Sequence, residues 1–169
     1  LDVFKELYKN SERDRLTIIY TGVAKCLSSN YEEAIEILTP CLSGEYVSLD
    51  DINNQRGFIY LIYSLCKIQI SVDKIDEWFS LLDFQLLNDF IQPLDEEILA
   101  LSILEIINMY FSNDKQEINP SNISYAIDRY ISKPSYCFTT QTENIRAEIW
   151  VNISEMQKGV KLFSDAQDS

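Results

Sequence analysis

Residues 16–42, LTIIYTGVAKCLSSNYEEAIEILTPCL, decide the fold. Leu16, Ile19, Tyr20, Val23 and Leu27 recur every three or four positions, the period that gathers apolar side chains on one face of a helix. Ser11 stands at the N-cap position of that helix, with Glu12 in its first turn. Asn30 then caps a second helix, with Glu33 three residues on as in a capping box. Ala34, Ile35, Leu38, Cys41 and Leu42 form the second buried stripe, and Ser43-Gly44 ends it. The two helices are long enough and close enough in sequence to pack as a hairpin, with Gly22 and Ala34 as the expected close-packing pair.

The same grammar continues outward. Asp50-Asp51-Ile52-Asn53-Asn54 reads as a turn and cap before a third helix carrying Phe58, Leu61, Ile62, Leu65 and Ile68. A fourth helix starts near Asp73, with Ile75, Trp78, Phe79, Leu82 and Leu86 in one stripe. Pro93 separates it from a fifth that opens on Asp95-Glu96-Glu97, where negative charge suits the positive end of the helix dipole. Ile98, Leu101, Leu104, Ile107 and Phe111 form its inward face. Ser121 caps a short sixth helix through Ile123, Ala126, Ile127 and Tyr130, and a seventh runs from about Thr142 to Phe163. No stretch alternates as a half-buried strand would, so the expected class is all-α. The odd-numbered helices start near 11, 53, 95 and 142, at intervals of 42, 42 and 47 residues. Paired helices at such periods mark an α-solenoid, here about three hairpins and a C-terminal capping helix in one domain over 1–169. An up-down bundle would also have short loops but no reason to repeat in pairs.

Composition narrows the function. Of 169 residues, 14 are Lys or Arg and 27 Asp or Glu, a net charge of −13 that repels phosphate backbones and anionic lipid. Histidine is absent, which removes Ser-His-Asp and Cys-His catalysis and His-ligated metal sites. Four Gly and four Pro are too few for a sandwich or for phosphate-cradling loops. Cys26, Cys41, Cys66 and Cys137 lack C-x-x-C spacing, and three of them fall in helical stripes where Cys acts as a small core residue. That favours a reducing, cytoplasmic compartment, in which the acceptor tripeptides at Asn122 and Asn152 carry no meaning. No apolar run reaches about 18 residues. The chain opens on Leu1, as a piece of a longer protein would, so an anchoring tail could lie elsewhere. Carboxylate pairs sit at helix starts, where capping explains them, and no D-D-x-x-D pattern occurs. The expectation is a protein without catalytic residues, metal or cofactor.

Residues 18–42 resemble a tetratricopeptide repeat. Ser29-Asn30-Tyr31-Glu32-Glu33-Ala34-Ile35-Glu36 is similar to that family's turn and second-helix opening, and Gly22, Tyr31, Ala34, Leu38 and Cys41 match its structural positions. Ile18, Thr21 and Lys25 depart from it, and no Pro closes the unit near Tyr46. Ala126-Ile127-Asp128 is a fainter echo. The resemblance implies that the first helix of each hairpin lines a concave surface for an extended peptide or partner helix. Leu16, Ile19, Val23 and Cys26 would face that groove, without the basic and Asn residues that clamp a C-terminal carboxylate. Alternatively, Leu1 to Tyr8 covers this face and makes it core. A second likeness, from Ser64 to Phe111 through Trp78 and Gln92-Pro93-Leu94, is to tail-anchored peroxisomal adaptors that recruit an AAA unfoldase. Tyr46, Phe84, Tyr110, Tyr136 and Phe138, at helix ends or in loops, are the aromatic candidates for a partner patch. The expected function is a non-catalytic scaffold or adaptor binding another protein, a peptide or helix of basic character. The alternatives are the cytosolic domain of a peroxisomal adaptor and a constitutive subunit of a larger complex.

Overall fold

The first two described helices are joined by a turn that closes through backbone hydrogen bonds. The computed structural model describes residues 12–45 and 47–112, and beyond them the single positions Asn144, Ala147, Glu148 and Val151, all helical and exposed. The expected sixth helix, and all but those positions of the seventh, lie outside the described residues. Helix α1 spans Glu12–Leu27 and α2 spans Tyr31–Leu42. The turn between them places Ser29 at φ 64°. Ser28 N–H donates to the Ala24 carbonyl, Ser29 N–H to Cys26 and Asn30 N–H to Lys25, at 2.9–3.0 Å. This is the left-handed closure that uses up the orphan carbonyls of a helix end. The expected side-chain cap is absent: Asn30 makes no cap hydrogen bond, and Glu33 instead meets Lys25 Nζ at 2.7 Å. At the other end of α2, Arg15 Nη2 donates to the Cys41 carbonyl at 3.0 Å, a cation at the negative end of a helix.

Helix α3, Ile52–Lys67, is capped as expected, with Asp51 Oδ1 accepting from Asn53 N–H at 2.8 Å. Its closure repeats that of α1 forty residues later: Ile68 N–H donates to Ser64, Gln69 N–H to Cys66 and Ile70 N–H to Leu65. Gln69 takes the left-handed position, φ 56°. The fourth helix departs from expectation by splitting into α4, Val72–Phe79, and α5, Phe84–Phe90. No Gly or Pro lies in this stretch, so tertiary contacts and a local cap make the break. Gln55 Nε2 takes the Leu81 carbonyl at 3.0 Å and its Oε1 takes Asp83 N–H at 2.8 Å, two groups a continuous helix would need. Asp83 Oδ1 then caps α5 through Gln85 and Leu86 N–H. The phase slips by one residue, so Leu87 is buried in place of Leu86. Helix α6, Pro93–Ser112, begins two residues earlier than its acidic turn, because Pro needs no N–H donor at a first helical position.

Helix α3 is the axis of the described fold. Phe58, Ile59, Tyr60, Leu61, Ile62, Leu65 and Cys66 are all buried, and α3 packs on α1, α2, α4, α5 and α6. A helix apolar on every side has to be covered on every side. Cross-links between side chains give directions. Tyr20 lies beside Arg56 and Cys26 Sγ reaches the Tyr60 carbonyl, so α1 and α3 run the same way. Arg56 meets Asp95 and Lys67 meets Glu105, so α6 runs the same way again.

Gly22 sets how closely α1 and α2 approach. A Cβ there would sit 2.5 Å from Leu38 Cγ and Cδ2, so the nearest partner of Gly22 is Leu38 rather than the expected Ala34, which is itself buried. Gly22→Ala should therefore cost about 1–3 kcal/mol in urea unfolding despite alanine's better helix propensity. An unchanged midpoint would show that Leu38 yields freely.

Candidate interaction surface

The contact between Gly22 and Leu38 also fixes the rotation of α1, and with it the face offered to solvent. Ile19, Val23 and Cys26, expected to line an open groove, are buried in the core, and Leu16 is half-buried. Ile19 Cγ2 lies 3.5 Å from the position a Cβ on Gly57 would take, so this face rests on α3. The exposed positions are each one residue further on: Thr17, Tyr20, Ala24 and Leu27. Tyr20 is 47% exposed and Leu27 48%, so α1 presents an uncharged, partly apolar stripe to solvent. Of the aromatic candidates, Phe84 is half-buried against the core. Tyr46, Tyr136, Phe138 and the side chain of Tyr110 lie outside what the structure describes.

A charged network borders this stripe. Arg56 Nε donates to Asp95 Oδ2 at 2.7 Å, and Tyr60 Oη donates to Asp95 Oδ1 at 2.8 Å. Asp95 and Tyr60 are buried, whereas the Arg56 guanidinium stays partly open and stands 5.9 Å from the centre of the Tyr20 ring. Burial by itself would lower the Arg56 pKa, but the hydrogen bond and charge of Asp95 outweigh it and raise it. Burial and the Asp95 charge together push the Tyr60 hydroxyl well above its ordinary value, which keeps it a donor. Asp95, expected as a simple dipole partner at a helix start, is thus a tertiary tie from α6 to α3. Further along, Lys67 Nζ meets Glu105 Oε1 at 3.2 Å and stands 5.9 Å from the Tyr63 ring, itself edge-on to Tyr31.

Most buried polar groups here are satisfied. Asn54 Nδ2 donates to the Ser48 carbonyl, and Gln55 Nε2 adds Leu49 to its contacts with Leu81. Glu96 stands apart: it is 2% exposed and neither carboxylate oxygen has a hydrogen-bond donor among the described residues. Cys26, Cys41 and Cys66 are free and buried, and burial pushes each thiol up, away from the nucleophilic thiolate. Among the described residues no group of three His, Cys, Asp or Glu side chains could hold a metal ion, and no helix is long and apolar enough to cross a membrane. No family model matches the chain, and neither a curated protein nor a solved structure matches it.

Adjacent carboxylates in α6 should therefore respond oppositely to neutralisation. Asp95→Asn should lower stability by about 1–3 kcal/mol, because it leaves a partly buried guanidinium without its counter-charge. Glu96→Leu should raise stability by about 1–3 kcal/mol, because it removes a buried carboxylate that nothing satisfies. Urea unfolding of both variants checks the pair, and equal losses would contradict it.

Proposed function

We propose that this chain is a non-catalytic scaffold: a TPR-like α-solenoid that binds a partner protein along the exposed side of α1. The observation that carries the reading is the recurrence, forty residues apart, of one three-bond helix closure in α1 and α3, with α1, α3 and α6 running side by side in one direction. An up-down bundle makes its closest neighbours antiparallel, whereas stacked hairpins bring successive first helices together in parallel. The half-exposed Tyr20, beside the Arg56 guanidinium, supplies the aromatic and Arg groups typical of interface anchors, and half-exposed Leu27 extends the apolar stripe. Three free buried thiols suit a reducing compartment such as the cytoplasm.

Photo-crosslinking tests this reading in cells of the native source. Benzoylphenylalanine placed at Tyr20 or Leu27 should yield a discrete protein adduct identifiable by mass spectrometry. The same group at exposed Glu36 on α2 should not. Adducts no stronger at Tyr20 and Leu27 than at Glu36 would contradict the assignment of the binding face.

A further inference from the structure

The corner between α5 and α6 exposes a run of chain that carries large apolar side chains and no cation. Asp89, Phe90, Gln92, Pro93 and Leu94 are exposed, and only Ile91 within that run is half-buried. Phe90 is 57% exposed and Leu94 47%, so two large apolar side chains flank the Gln92-Pro93 bend. Scattered apolar residues on a surface are ordinary, but here two lie four residues apart in a stretch whose only charged residues are acidic. From Ile75 to Asp114 the chain has no Lys or Arg, and it has nine Asp and Glu. Two of those acids are neutralised from α3, Asp95 by Arg56 and Glu105 by Lys67. Asp89 and Glu97, which flank Phe90 and Leu94 in sequence, make no ion pair among the described residues.

From this charge complementarity we infer that the α5–α6 corner docks an amphipathic helical segment of a partner protein, apolar on one side and bearing Lys or Arg at its edges. Phe90 and Leu94 anchor the apolar side, and Asp89 and Glu97 receive the cations. The apolar pair supplies binding energy on desolvation, and the acidic rim supplies encounter rate and rejects acidic segments. An anionic lipid surface is excluded as occupant by the same rim. The inference rests on the scaffold reading and names the chemistry of one partner segment, at a surface separate from the α1 stripe.

The probe is a fluorescein-labelled Leu/Lys amphipathic helix of about 18 residues, with a Leu/Glu counterpart, titrated into the whole chain at about 0.15 M salt and followed by anisotropy. The Leu/Lys probe should bind and the Leu/Glu probe should not. Phe90→Ser with Leu94→Ser should weaken binding by about tenfold or more, and Asp89→Asn with Glu97→Gln by a similar factor. Tyr20→Ser with Leu27→Ser should leave it within about twofold, which separates this corner from the α1 surface. Failure of the wild type to bind the Leu/Lys probe would overturn the inference. So would equal weakening by both apolar pairs, since that is the behaviour of an acidic surface attracting any polycation. The two corner pairs alter exposed or half-buried side chains by different chemistry. If one pair loses its helical circular dichroism signal, the other decides. Loss of the crosslinks at Tyr20 would fall on the scaffold reading alone and leave the corner result standing.

Discussion

A helix with no free side is the constraint on which the rest of this structure depends. From Phe58 to Cys66 almost every residue of α3 is buried, and only Tyr63 in that run is half-buried. Burying large apolar side chains contributes roughly 1.5–3 kcal/mol each, but only if neighbours exclude water all round. Five other helices do so, α1 and α2 before it in the chain and α4, α5 and α6 after it. Polar groups caught in that shell must then find partners. Asn54, Gln55, Tyr60 and Ser64 do, and the first three reach out of their own helix, to Ser48, to Leu49, Leu81 and Asp83, and to Asp95. The polar residues of α3 therefore fix where the neighbouring segments turn and start.

The chain's scarce cations follow from the same geometry. Arg15, Lys25, Arg56 and Lys67 each tie two helices together, against Cys41, Glu33, Asp95 and Glu105. Such ties orient helices more than they stabilise them where they are exposed, as Lys25 and Glu33 are. With no Lys or Arg between Ile75 and Asp114, Asp89 and Glu97 at the α5–α6 corner have no ion pair among the described residues. The outward stripe of α1, by contrast, is free of charge. Two chemically different surfaces thus arise from one uneven distribution of Lys and Arg.

Helical periodicity made the all-α class, the first three helices and the Asp51 cap legible in the sequence, because those depend on residues three or four apart. What it missed depends on distant residues. The one-residue rotation of α1, from Ile19, Val23 and Cys26 to Tyr20, Ala24 and Leu27, is set by where Leu38 meets Gly22, and two adjacent apolar stripes on α1 look alike until that contact is known. The break at Ser80–Asp83 is made by Gln55, 28 residues before Asp83. The role of Asp95 is set by Arg56, 39 residues before it. Asn30 failed as a cap because the backbone had already closed the turn and Lys25 had engaged Glu33. Phe90 and Leu94 carried a readable signal, the absence of any cation around them, that periodicity alone does not weigh.

The direction of α1 relative to α3 is the claim most open to direct measurement. Spin labels introduced as non-natural residues at Leu27 and Lys67, and at Leu27 and Asn53, can be compared by pulsed dipolar spectroscopy. Packed helices lie about 8–10 Å apart, while the length of α3 from Asn53 to Lys67 spans roughly 20 Å at 1.5 Å per residue. Parallel first helices predict that the pair joining the two C-terminal ends, Leu27 and Lys67, is clearly the shorter. A shorter distance from Leu27 to Asn53 would mean that α1 and α3 are antiparallel, and the stacked-hairpin account would be wrong.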